Sequence, residues 1–130
     1  MEPIEKATVL VTGASKGIGL SIAEAFAAHG HDLVLVARGE EALQRVADRI
    51  KADTGVDVMV ISCDLTEAAA PRKLYQQLEQ AGKPIDILVN NAGAGMSGLF
   101  CEGDYTKLSK MLQLNMLALT QLTHLFLPQM

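Results

Sequence analysis

The stretch Thr12-Gly13-Ala14-Ser15-Lys16-Gly17-Ile18-Gly19 follows an apolar run, Ala7 to Val11, and opens a helical pattern. A glycine-rich turn between a strand and a helix is where the phosphates of a nucleotide sit. Glycine has no Cβ, so it permits positive φ and lets the backbone approach a pyrophosphate closely. The helix that follows turns its unpaired N–H groups toward the negative charge. The spacing here is G-x3-G-x-G, which departs from the G-x-G-x-x-G fingerprint usual for dinucleotide-binding turns. Glycine-rich turns also occur with no ligand, so the rest of the chain has to decide.

Outward from that stretch, strand and helix signals alternate without internal repeats, which is the pattern of βα units on a parallel sheet. Thr8 to Val11 is the first apolar run, and Ile18, Ile22, Ala25 and Phe26 recur at helical spacing up to a stop at Gly30. Leu33-Val34-Leu35-Val36 is continuous rather than alternating, as expected for a strand buried on both faces. Leu43, Val46, Ala47 and Ile50 mark a second helix, closed near Gly55. Val58 to Ile61, a helix around Leu74 and Leu78 that stops before Gly82, and Ile85 to Val89 follow. After a loop holding Gly93, Gly95, Gly98 and Gly103, a long apolar helix starts near Tyr105.

With right-handed crossovers these units build an α/β fold, a partial Rossmann-type doubly wound parallel sheet of order 3-2-1-4 with helices on both faces. No linker interrupts the pattern, so residues 1–130 are expected to form a single domain. The strand order reverses beside the first strand, and the crevice there is where ligands bind. The loops after Val11 and Val89 should therefore both face it. The fourth strand would be an open edge, which natural proteins usually cover.

The 130 residues are 49% hydrophobic and 20% charged, enough for one domain with a sizeable core. A net charge of −4 and an absence of basic clusters argue against nucleic acid or an anionic membrane as the main partner and favour a small molecule. Cys63 and Cys101 fit no metal-ligand spacing, and two thiols in a chain without a signal-peptide pattern predict reduced cysteines and a cytoplasmic setting. His29, His31 and His124 have no carboxylate or cysteine partners at useful spacing, so no metal site is expected. No stretch approaches the ~18 apolar residues of a membrane-spanning helix. Leu108, Met111, Leu112, Met116, Leu119, Leu122 and Phe126 wrap most of the way round the last helix, which predicts burial on more than one side. Whatever covers part of it is absent from these residues or supplied by another chain.

Four separated motifs carry a resemblance: the turn Thr12 to Gly19, Asp64 in Cys63-Asp64-Leu65-Thr66, Asn90-Asn91-Ala92-Gly93 after the fourth strand, and Asn115 in the long helix. On these the chain resembles the short-chain dehydrogenase/reductase family, over essentially its whole length but only the N-terminal half of the family's domain. The resemblance implies cofactor binding by Gly13, Ser15, Lys16, Gly17, Ile18 and Gly19 in the turn, by Asp64 and Leu65, and by Asn91, Ala92 and Gly93. It gives Asp64 the adenine amino group, although a helix cap before Thr66 is the plain alternative. Asn90 and Asn91 are able to tie the fourth strand to its neighbour, while Ala92 and Gly93 leave room for a nucleotide.

The end of the second strand, where an acidic residue would hold a ribose 2′-hydroxyl, reads Val36-Ala37-Arg38. Ala37 cannot bond that hydroxyl, whereas the Arg38 guanidinium can pair with a 2′-phosphate, and Lys16 adds a second positive charge. NADP(H) is therefore expected over NAD(H). The competing reading makes Arg38 a solvated surface residue and gives the ribose to Glu40 or Glu41.

Catalysis in the family uses Asn, Ser, Tyr and Lys, and Asn115 matches the Asn. A helix-interior polar residue filling a backbone gap is its bland alternative. The family's Tyr-x3-Lys is not found: Tyr75 is followed at that spacing by Glu79 and Tyr105 by Ser109. Without a placed proton source a developing alkoxide is unstabilised, so the isolated chain is expected to be inactive. The resemblance thus implies the cofactor-binding part of an NADP(H)-dependent oxidoreductase acting on a carbonyl or alcohol. Leu117 to Met130 looks most like reductases of fatty-acyl and broad-substrate type. Family members often pair through the long helix, which implies a homo-oligomer. The alternative is a non-catalytic nucleotide-binding half domain that self-associates.

Overall fold

Short β-branched and leucine-rich runs alternate with helices, and the two central strands are left no solvent-facing side while the two edge strands are partly buried. The computed structural model describes residues 5–130; the first four positions of the expected domain lie outside the described residues. The elements run β1 (Thr8–Thr12), α1 (Gly17–Ala28), β2 (Asp32–Ala37), α2 (Glu40–Thr54), β3 (Val58–Ser62), α3 (Ala70–Gln80) and β4 (Ile87–Val89). A 3-10 turn (Phe100–Glu102) leads into one long helix, built from α4 (Tyr105–Leu112), a π-helical turn (Gln113–Ala118) and α5 (Leu119–Phe126). The sheet is parallel throughout, with order β3-β2-β1-β4. That is the doubly wound arrangement expected.

Alternation along the strands fills two cores. Val9 and Val11 of β1 with Leu33 and Leu35 of β2 pack against Ala23 and Ala27 of α1 and Leu43, Ala47 and Ile50 of α2. On the other face Leu10, Val34, Val36 and Ile61 meet Leu74 and Leu78 of α3 and Leu122 and Phe126 of α5. Burying a Leu or Phe side chain completely contributes about 2 kcal/mol, so β1 and β2, buried on both faces, anchor the sheet.

Two expectations need correction. On α1 the face toward the sheet is Gly19, Ala23 and Ala27, while Ile18 is 74% exposed and Ala25 is exposed as well. Small residues at i, i+4 and i+8 let that helix backbone lie close to β1 and β2, which a larger stripe would prevent. Strand β4 begins at Ile87 rather than Ile85, because Ile85, fully buried, gives its N–H to the Gln129 side chain at 2.9 Å instead of a strand partner. The long helix is buried along Ala118, Leu122 and Phe126, whereas Leu112, Met116, Leu117 and Leu119 are exposed, so these residues cover it on one side and leave the rest of its apolar surface open, as expected.

Candidate active site

The turn after β1 and the loop after β4 leave the sheet side by side at its C-terminal edge, and buried Thr12 joins them. Thr12 Oγ1 accepts from the N–H groups of Asn91 (3.0 Å) and Ala92 (2.9 Å), while Asn91 Nδ2 donates to the carbonyls of Thr12 (3.1 Å) and Gly13 (3.2 Å). The Ala14 N–H reaches the Val36 carbonyl at 3.2 Å, which ties the same turn to the end of β2. Asn90 turns the other way and donates to Thr123 Oγ1 of α5 at 3.0 Å. The two asparagines thus lock the β4 loop to β1 and to the helix layer. Thr12 received no role from sequence; a polar residue closing an apolar run was the signal for it.

The three glycines of the turn differ in function. A Cβ on Gly19 would overlap the Gly13 carbonyl oxygen and Asn91 Nδ2, and one on Gly13, at φ 66, would press on Asn91 and Ala92. These two are bare because the protein packs against them. Gly17, at φ 61, has no atom within 4 Å of where a Cβ would stand. Its backbone faces open space at the first turn of α1. That helix start has no side-chain cap and no acidic residue in its first turn, so its N–H groups are left for an anion.

This open space belongs to a cleft of about 1200 Å³, above the few hundred to about 1,000 Å³ of most small-ligand sites and long enough for an extended one. Gly13, Ser15, Lys16, Gly17 and Ile18 form one part of its wall, and Arg38 stands at the end of β2. Asp64 and Leu65 follow β3, and Asn91, Ala92 and Gly93 follow β4. Two residues expected at the site lie behind this wall, Gly19 under the turn and Asn115 behind the β4 loop. Glu40 and Glu41 do not line the cleft; they occupy the exposed first turn of α2, where the helix dipole favours acids. A cleft of about 320 Å³ between α3 and the last turn, beside Tyr75 and Gln129, holds none of the motif residues.

Asp64 does not cap a helix: α3 starts at Ala70, with Ala69 before it. Its Oδ1 accepts from the Thr66 N–H (3.0 Å) and Oγ1 (2.7 Å), an Asx turn. Those hydrogen bonds hold its carboxyl below the usual carboxylate range against an opposing effect of burial, with smaller help from the charges of Arg38 and Lys110. Oδ2 has no hydrogen-bond partner among the described residues. The neighbouring Cys63 thiol is pushed up by burial, then by Asp64 and Glu67, so it stays protonated and is a poor nucleophile.

Asn115 sits in the π-helical turn and closes a two-bond clamp on one residue of the β4 loop. Its Oδ1 accepts from the Ala94 N–H at 2.9 Å and its Nδ2 donates to the Ala94 carbonyl at 2.7 Å. Next to it, a Cβ on Gly93 would stand 3.3 Å from Asn115 Oδ1. Among the described residues no group of three or more His, Cys, Asp or Glu gathers as a metal site would require, and no helix is long and apolar enough to cross a membrane.

Residues 7–130 match a family model described as short chain dehydrogenase. The ketoacyl reductase HetN of Nostoc sp. is 36% identical over 123 residues, covering 95% of this chain and 42% of the relative. Among solved structures, the L-sorbose reductase of Gluconobacter frateurii in complex with NADPH and L-sorbose superposes with a TM-score of 0.90 at 33% identity, over 98% of this chain and 48% of that one. A short-chain dehydrogenase of Sphingobium yanoikuyae in complex with NADPH gives 0.87 at 42% identity, over 94% and 47%. The chain spans about half the length of the relatives it matches. A glycine-rich turn locked to an Asn-Asn-Ala-Gly loop beside the strand-order reversal, together with these likenesses, means that the chain belongs to the short-chain dehydrogenase family.

Proposed function

We propose that these residues are the cofactor-binding part of an NADP(H)-dependent oxidoreductase acting on a carbonyl or alcohol, in the cytoplasm. The observation that carries the reading is the pairing of Arg38 with Ala37 at the end of β2, on the cleft wall, while Glu40 and Glu41 lie outside it. An arginine there matches a ribose 2′-phosphate and leaves a bare 2′-hydroxyl without an acceptor. The open backbone at Gly17 and the uncapped start of α1 fit a pyrophosphate, and the free Oδ2 of Asp64 fits an adenine amino group. Ser15, Lys16 and Ile18 border the phosphates, Gly13 and Gly19 hold the turn in shape, and Leu65, Asn91, Ala92 and Gly93 border the adenosine. Free Cys63 and Cys101 suit a reducing compartment.

Bound nicotinamide supplies or accepts a hydride. Asn115 holds Ala94, and through it the β4 loop on the cleft wall that would border the cofactor. Proton transfer needs a Tyr and Lys pair that these 130 residues do not contain, so the chain by itself binds and does not turn over. Relatives named as ketoacyl, fatty acyl-CoA and bulky-ketone enzymes support a carbonyl substrate. Exchange of Arg38→Asp is the test: relative affinity for NADPH over NADH should reverse, and an unchanged ratio would refute the assignment.

A second reading, a self-associating nucleotide-binding half domain, draws on the exposed apolar side of the long helix, with Met116 at 60% and Leu117 at 59% exposure. Sedimentation across a concentration series separates the two. A strictly monomeric, well-folded chain counts against this second reading and against homo-oligomerisation through that helix.

A further inference from the structure

Lys16, Arg38, Lys107 and Lys110 all line the cleft, against the single carboxylate of Asp64, in a chain whose net charge is −4. None of the four forms an ion pair among the described residues, where the pairs are Lys6 with Asp32 and Arg49 with Glu24. Concentrating unpaired cations in one crevice of an acidic protein focuses an attractive field for an anion there. Lys16 and Arg38 already belong to the phosphate reading. Lys107 and Lys110 do not, and no motif drew attention to them.

Their placement follows from helix geometry. Lys107, Lys110, Met111 and Leu114 fall at i, i+3, i+4 and i+7, one stripe of the long helix, and all four line the cleft. Met111 and Leu114 are half-buried and give the stripe an apolar base, while the two lysines are exposed and keep their ammonium groups in water. Lys107 and Lys110 line the same cleft as Arg38 and Asp64, and the charge of Lys110, like that of Arg38, favours the Asp64 carboxylate. We propose that Lys107 and Lys110 are specificity-determining residues that supply, from α4, a second set of charges beside Arg38 for a phosphate on the adenosine end of the ligand. The inference rests on the cofactor reading given above and adds to it: selection of the 2′-phosphate is shared between the end of β2 and α4.

The test is calorimetric titration of the chain with 2′,5′-ADP and with 5′-AMP, which differ by that phosphate. K107Q/K110Q should bind 2′,5′-ADP about three- to tenfold more weakly at low salt and 5′-AMP within about twofold of the parent, as exposed charge pairs allow. The gap should shrink at about 0.5 M salt, where screening is strong, and K107R/K110R should behave as the parent. Glutamine and arginine are sound helix formers, and matching circular dichroism spectra verify the fold. Parent-like binding of 2′,5′-ADP by K107Q/K110Q, or equal weakening of both nucleotides, overturns the proposal. R38A separates the layers: if it too leaves 2′,5′-ADP binding unchanged the cofactor reading itself falls, whereas a loss in R38A alone removes just the share assigned to the lysines.

Discussion

Thr12 and Asn91 satisfy each other across the mouth of the cleft: the Asn91 N–H donates to Thr12 Oγ1 at 3.0 Å and Asn91 Nδ2 returns a bond to the Thr12 carbonyl at 3.1 Å. Seventy-nine positions separate them in the chain, so this exchange fixes how the first and fourth strands present their loops. Thr12 is 1% exposed, and water does not replace what it provides. Thr12→Val keeps the shape but leaves the Ala92 N–H without its acceptor and reduces the Asn91 N–H to its bond with the Val89 carbonyl at 3.1 Å. A loss of about 1–3 kcal/mol in urea unfolding is expected, and Thr12→Ser should recover most of it.

Substitutions at two glycines of one turn should separate stability from binding. Gly19→Ala forces an overlap with the Gly13 carbonyl and Asn91 and should cost about 1–3 kcal/mol in thermal unfolding. Gly17→Ala meets nothing and pays just the positive-φ strain of about 1–2 kcal/mol. Nucleotide titrations of the same variants should rank oppositely per kcal/mol lost, with Gly17→Ala losing affinity out of proportion to its stability.

The clamp from Asn115 to Ala94 predicts a local effect. Asn115→Ala removes both bonds, so the Ala94 amide should exchange with solvent faster by about tenfold or more, while amides of β1 and β2 keep their protection. Asn115→Asp retains the acceptor for the Ala94 N–H and loses the donor to its carbonyl. Protection at Ala94 should then be intermediate.

Asp64 gives a pH signature of known sign. Its folded carboxyl is held below the ordinary range, chiefly by Thr66. The stability from this carboxylate is therefore present above the unfolded value, about 3.9, and is lost as pH falls through the folded one. Thr66→Val deletes the hydroxyl bond and keeps the backbone one. A carboxyl NMR titration should show the Asp64 midpoint move upward in that variant, and Asp64→Asn should flatten the acid limb of the stability curve.

Much of the architecture was legible because strands buried on both faces leave continuous apolar runs: Leu33 to Val36 is such a run, and β2 sits at the centre of the two cores. The face of α1 was not, since Ile18 and Ala25 look like core by spacing while Gly19, Ala23 and Ala27 win by allowing close approach. At the site, the turn, Arg38, Asp64 and the Asn-Asn-Ala-Gly loop were visible as motifs, and the fold brings them to one cleft. Thr12 as a junction and the lysines of α4 were hidden for a common reason. Each depends on which distant segment lies opposite, and one-dimensional spacing carries no such information.

The most direct test is to titrate the 130-residue chain with NADPH and with NADH at low salt, following nicotinamide fluorescence or heat. The account predicts that NADPH binds at least about tenfold more tightly, an interval of about 1.4 kcal/mol that one charge-assisted phosphate contact readily supplies. Equal affinities, or tighter binding of NADH, would contradict it.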